Sequence, residues 1–171
     1  MSVIAWDGKV LATDMQGSHS SGLIGITPKL RRLKTGNFVA ITGDIALCQI
    51  AMLWIENGCK PEMWPSVLIE DGWGIVTTRP GYPGAICELS RYPTMEIVYS
   101  QYWAWGAGQD LAIGALAMGA TAVQAVNVAC NYSDSCGGGI LHVDLSDPNA
   151  KVVLTQISSL RDSALNLHNI T

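Results

Sequence analysis

The side chains in this sequence that invite a chemical reading are five cysteines, three histidines and a serine at position 2. The cysteines (Cys48, Cys59, Cys87, Cys130, Cys136) are odd in number, form no CxxC pair and have no histidine close by in sequence. Thiolate metal sites need paired ligands at short spacing, and that spacing is missing. Most of these cysteines sit among apolar residues, as free thiols do in the core of a protein from a reducing compartment, so a cytoplasmic location is expected. His19, His142 and His168 are scattered, and neither a metal nor a cofactor is called for. Cys136 stands directly before Gly137-Gly138-Gly139, which leaves a cysteine-dependent enzyme as one possibility. Ser2 raises a different question: the chain opens MSVIAWDGKVLATD, with Ser2 behind Met1 and an apolar, β-branched run beginning at once.

The elements that must position such groups follow from periodicity and turn signals. SVIAW (2–6) and KVLAT (9–13) flank Asp7-Gly8, a strong hairpin signal. MQGSHSSGLIGITP (15–28), rich in Gly and Ser, reads as a loop. KLRRLKTGNFVAITGD (29–44) reads as two strands around Gly36-Asn37, with Asp44 capping the next element. IALCQIAMLWIENG (45–58) is a helix ending at Gly58, apolar on nearly all sides, which predicts burial between layers. Pro61 and Pro65 make 59–66 a connector without regular structure. Residues 67–78 read as a hairpin turning at Asp71-Gly72, 79–84 as a loop and 96–105 as a strand. Residues 109–119 and 121–130 are two helices, the second capped by Thr121. Strands at 140–145 and 151–160 close the pattern, and 162–171 is left unassigned. Strands and helices come in blocks, so the expectation is α+β with two antiparallel sheets covered by helices, not a doubly wound parallel sheet.

Composition narrows the function classes. A chain of 171 residues is most simply one domain, 1–171. Its net charge of −4 and the lack of basic clusters beyond KLRRLK (29–34) argue against nucleic acid. The most apolar run, residues 45–55, is too short to span a bilayer, so no membrane partner is expected. Charged residues are only 14% while apolar ones reach 49%, with six tryptophans, so self-association is expected to cover part of the surface.

Several motifs in order resemble the proteasome β-subunit family, including the bacterial HslV peptidase. The opening strands end in Ala12-Thr13-Asp14, like the family's Ala-x-Asp. KLRRL (29–33) is similar to its Lys-bearing strand, and AITGD (40–44) to its short strand entering the first helix. WGAG (105–108) before a small-residue helix is similar to its Gly-Ser-Gly segment, and CGGG (136–139) to its Ser-Gly-Gly strand entry. The resemblance implies a four-layer αββα sandwich of the N-terminal-nucleophile hydrolases.

It also implies a peptidase or amidohydrolase whose nucleophile is the first residue of the mature chain. With Met1 removed, Ser2 would carry both the hydroxyl and a free amine, whose ordinary pKa is about 7.7 to 8.0. By resemblance Lys29 lowers the pKa of that amine, Asp14 pairs with Lys29, and the Gly43 N–H stabilises the oxyanion. The implied partners are a peptide or amide substrate and further copies of the chain, in a ring. Two registers stay open: aligning on Ala5 places Met1 at the nucleophile's position, aligning on the distance to Asp14 places Ser2 there. The family's helper serine is Ala107 here, after Gly106. Its Asp before Ser-Gly-Gly falls on Ser133, with Asp134 one place on, and the connector 59–66 is shorter than the family's second helix. These departures carry the alternative, an inactive relative kept as a self-assembling structural or binding protein.

Overall fold

A computed structural model describes residues 2–18, 22, 24–78 and 85–157. The expected loop at 79–84 and the tail at 162–171 lie outside them. The chain is α+β, with antiparallel sheets and three α-helices among the described residues. No helix is long and apolar enough to cross a membrane.

The first hairpin forms as the sequence predicts. Strands β1 (Ile4–Trp6) and β2 (Val10–Asp14) pair across Asp7-Gly8, with Ile4 opposite Thr13. Asp7 holds the turn by accepting from the Lys9 and Val10 amides at 3.1 and 2.7 Å. Its other oxygen accepts from Ala122 N at 2.8 Å, which ties the hairpin to the start of a distant helix.

Residues 15–28 depart from the expected loop. Gln16–Ser18 (β3) and Ile24–Ile26 (β4) pair antiparallel, with Gly17 opposite Gly25. The two facing glycines hide the alternation on which strand recognition rests, and Thr27 N→Met15 O at 2.7 Å closes the pair. Leu30–Arg32 (β5) and Phe38–Gly43 (β6) then form around Gly36-Asn37 as predicted. Helix α1 (Ile45–Glu56) starts on Asp44, whose carboxylate accepts from the Ala46 and Leu47 amides, and ends before Gly58 at φ 90°.

The expected burial of α1 on all sides is wrong. One face, including Leu47, Cys48, Ala51 and Ile55, is buried, while Ile45 and Leu53 are 37% and 58% exposed. The expected hairpin over 67–78 is half right. Trp73–Thr78 is a strand (β7), but Ser66–Ile69 curls into a 3-10 turn that sinks Leu68 completely into the core. A second 3-10 turn, Pro61–Met63, interrupts the connector expected to be irregular. Ile86–Leu89 (β8) has no counterpart in the sequence reading. The single strand expected at 96–105 is two: Glu96–Ile97 (β9) pairs with β8, and Trp103–Trp105 (β10) pairs with β1. The segment therefore crosses from one sheet to the other, which aromatic alternation does not reveal.

Helices α2 (Gln109–Ala117) and α3 (Ala122–Tyr132) follow, the latter with a full capping box between Thr121 and Gln124. Ile140–Asp144 (β11) and Val153–Thr155 (β12) complete a sheet ordered β10-β1-β2-β11-β12, and the other runs β5-β6-β7-β8-β9.

Three apolar clusters join these elements. Ala112, Leu116, Ala125 and Ala129 of α2 and α3 pack on Val3, Ala5 and Ala12 of the first sheet. Ile4, Leu11, Trp105 and Leu141 of that sheet meet Leu30, Phe38, Ala40 and Val76 of the second. Val39, Ile41 and Ile75, from the far side of the second sheet, meet Cys48, Ala51 and Ile55 of α1. Alternate residues of β6 thus serve different clusters, as a strand covered on both faces requires. Four tryptophans (Trp6, Trp54, Trp73, Trp105) are core residues, so they say little about an interface. The exposed apolar side chains are others, among them Met118 at 89% and Ile24 at 69%.

Candidate active site

The site grows from one buried ion pair. Lys29, just before β5, reaches Asp14 at the end of β2 with Nζ 2.7 Å from Oδ1, and the two side chains are 5% and 0% exposed. A buried carboxylate needs all its lone pairs occupied, and the fold supplies donors from three segments. Val3 N gives to Oδ1 at 3.0 Å, while Gln16 N and Gly137 N give to Oδ2 at 3.1 and 3.2 Å. Asp14 therefore fastens the start of β1, the start of β3 and the glycine run before β11 around the Lys29 ammonium.

Ser2 shares a cavity with the lysine of this pair. Ser2, Lys29, Thr42 and Gly43 line one small cavity of about 30 Å3, the room of a single water, together with Gln16 and Gly17. The Ser2 hydroxyl and the Thr42 hydroxyl share a hydrogen bond of 2.5 Å. The Ser2 carbonyl accepts from Gly108 N at 3.2 Å, which fixes the residue at the mouth of the first sheet. Gly106 approaches the same carbonyl with φ 90°, and a Cβ there would overlap it. The cavity opens on a cleft of about 400 Å3 whose wall shares Gly17, Ser18, Gly43 and Ile45 with it.

The position of Gly43 follows from strand alternation. Ile41 N donates to Lys29 O at 2.9 Å on the β5 side, whereas Asp44 N turns the other way, to Gly72 O at 2.9 Å. Amides two apart along a strand point the same way, which puts the Gly43 N–H on the β5 side, past the end of that strand, and Gly43 lines the cavity. Gly43 has φ 81°, and a Cβ would overlap the Gly72 carbonyl, so glycine is required there.

The structure thus brings Ser2, Asp14, Lys29, Gly43 and Gly106 together. The accessory positions fare differently. Ala107 is exposed at the turn before α2 and offers no hydroxyl. Ser133 Oγ accepts from Ser135 N at 3.2 Å, within its own loop. Asp134 is exposed, and it is its backbone carbonyl that meets the site's scaffold, accepting from Gln16 Nε2 at 2.7 Å. Thr42, Gln16 and Gly137 are further members of this cluster that the sequence reading passed over. Thr42 and Gly137 lie inside quoted motifs, and only register could have assigned their roles.

The surroundings of Cys136 disfavour a reactive thiolate. It is 2% exposed, packed where a Cβ on Gly108 would come 2.7 Å from its sulfur. Burial and the negative charge of Asp14 push its thiol up to about 11, so the reactive thiolate is suppressed near neutral pH. Burial likewise raises Cys48 to about 11 and Cys130 to about 12. Compared with known protein families and with curated proteins, the chain matches none.

Proposed function

We propose that the chain is an N-terminal-nucleophile peptidase or amidohydrolase of the proteasome β type, acting through Ser2 once Met1 has been removed. The observation that carries this reading is Lys29, held by the buried Asp14, lining one cavity with Ser2 and Gly43. A serine hydroxyl needs a base within reach, and the free α-amine of Ser2 would be that base. The Lys29 ammonium favours the neutral form of such an amine, since like charges close together are costly. Asp14 keeps Lys29 in place. Ser2 Oγ attacks the substrate carbonyl and its proton passes to the amine. The resulting oxyanion takes the Gly43 N–H, a type of contact worth about 2.7 to 4 kcal/mol in the transition state. The amine then gives that proton to the leaving nitrogen, and water releases the acyl group from Oγ by the same route.

The finer fold belongs to this proposal: α2 and α3, the two five-stranded sheets and α1 form the four-layer αββα sandwich of that superfamily. The order of the three apolar clusters supports it. Assembly into a ring of copies is part of the reading too, supported by the exposed Ile24, Leu53, Ile69 and Met118. Light scattering that returned only an 18.2 kDa species would remove the ring.

Intact-mass measurement with a β-lactone probe tests the chemistry. The expected result is quantitative loss of Met1, one adduct on Ser2, and neither adduct nor turnover in Ser2→Ala. The rival, an inactive assembling relative, draws on the missing hydroxyl at Ala107 and the exposed Asp134. A chain that keeps Met1 and takes no label would establish it instead.

A further inference from the structure

On the other side of the Asp14 scaffold lies a cavity of about 480 Å3, within the range of roughly 300 to 1,000 Å3 of ligand pockets. Its walls carry Met15, Ile26, Leu154, Ile157 and the rim of Cys130, with Gln156 as the polar side chain and the Gly137–Gly139 backbone as one side. Met15 and Cys130 are core residues, at 8% and 7% exposure, and both line this cavity. The glycine run is what keeps this space. A Cβ on Gly138 would stand 2.7 Å from Ile26 Cδ1, and one on Gly139 would stand 3.4 Å from both Leu154 Cδ1 and Met15 Sδ. Gly138 and Gly139 have φ 77° and 108°, so other residues are strained there as well.

Two links connect this cavity with the Ser2 site. Ile26 lines both it and the cleft that opens from Ser2. Ile26 also pairs across the β3–β4 ladder with Gln16, which lines the Ser2 cavity. Side chains of such a pair stand about 5 Å apart, so the two linings adjoin across this ladder.

We infer that this cavity is a substrate pocket for an uncharged aliphatic or aromatic side chain, one or two residues from the bond that Ser2 cleaves. The inference rests on the Ser2 reading for the identity of the occupant. Among the described residues the cavity is lined by no ionisable side chain other than the Cys130 thiol, so a charged side chain would lose its hydration without gaining a partner from them.

Two measurements on the full chain test it. A peptide library should show kcat/KM at least about tenfold higher for Leu or Phe than for Lys or Glu at one position near the cleaved bond. Leu154→Lys, at a position 54% exposed, should cut that preference below about twofold while Ser2 still takes the β-lactone. An unchanged preference in a labelled variant overturns the pocket. The second measurement needs no turnover. In protein labelled with 13C-methyl methionine, N-acetyl-leucine amide should shift the Met15 methyl signal, N-acetyl-lysine amide should not, and Leu154→Lys should abolish the shift. No shift in the wild type sinks the pocket. A shift in a chain that takes no label leaves the pocket standing and removes the Ser2 reading.

Discussion

The Asp14–Lys29 pair should be the most expensive pair in the molecule to halve. Lys29→Met leaves a carboxylate, 0% exposed, with three backbone donors but no counter-charge. Removing one partner of a buried ion pair costs about 3 to 5 kcal/mol. Asp14→Asn removes the charge and also turns an NH2 group towards either Val3 N and Lys29 Nζ or Gln16 N and Gly137 N. Losing two bonds to a charged acceptor, each worth about 1.5 to 3 kcal/mol, gives about 3 to 6 kcal/mol. The double variant Asp14→Asn/Lys29→Met should lose less than the sum, by about 1 to 3 kcal/mol, because neither charge is then stranded. Urea unfolding followed by tryptophan fluorescence reads this out. With a slope of about 2 kcal/mol/M, Lys29→Met should lower the midpoint by roughly 2 M. Lys29→Arg, which keeps the cation, should lose less than half of that. A Lys29→Met cost below about 1 kcal/mol, or effects additive within about 0.5 kcal/mol, would show that the pair does not anchor the site.

Four further outcomes are expected. Thr42→Val, which keeps the shape and removes the partner of the Ser2 hydroxyl, should cost about 0.5 to 1.5 kcal/mol and change the rate of Ser2 labelling; equal rates would separate Thr42 from the site. Gly43→Ala forces a Cβ into the Gly72 carbonyl at φ 81° and should lower the melting temperature by several degrees, roughly 2 kcal/mol or more, whatever its effect on turnover. Cys48 and Cys136 rise from the ordinary 9.0 to about 11, so the folded state resists their ionisation. The stability linked to them is complete below pH 9 and is lost as pH climbs towards 11, and Cys48→Ala should flatten the curve. In native protein at pH 8, iodoacetamide should reach the half-buried Cys59 before the buried Cys136, as peptide mapping can check.

Much of the site was legible because its residues sit where local signals are strong. Asp7-Gly8 sets the register of β1 against β2, and that register places Asp14 beside the amide of Val3. Asp44 marks the start of α1 and so locates Gly43 at the end of β6. Thr121 does the same for α3. What stayed hidden depends on long-range pairing. Gly17 opposite Gly25 has no side chains to alternate, so β3 and β4 read as a loop although Gln16 is part of the Asp14 scaffold. Residues 96–105 carry a continuous aromatic pattern, yet the chain changes sheet within it, because Glu96 and Trp103 find partners in different sheets. Leu68 reads as a strand residue from its neighbours, and the space under α1 bends it into a turn instead. The choice between Met1 and Ser2 as the register of the first strand also had no local answer; Ser2, with its carbonyl on Gly108 N, lines the cavity, and Met1 lies outside the described residues.

The same distances explain why fold and site are hard to separate here. Asp14 binds amides from residues 3, 16 and 137; the first two need only the β1–β2 hairpin and the turn that follows it, whereas the Gly137 bond and the Lys29 ion pair join parts of the chain that pack together in the fold. A carboxylate left half satisfied at that junction would be costly, which favours closing the Gly137 bond and the Lys29 ion pair together. The Lys29 ammonium enters from the opposite sheet and compensates the charge at the place where the two sheets face each other. Any route that moved Lys29 away from Asp14 would therefore loosen the sheet contact and the Ser2 cavity together. A chain that needed only a sandwich could fill this junction with Leu and Met at no loss of stability, since buried ion pairs are often no better than apolar packing. Keeping a fully satisfied Asp–Lys pair beside a serine hydroxyl is the expensive choice, and it makes sense where the charge has work to do on a neighbouring proton.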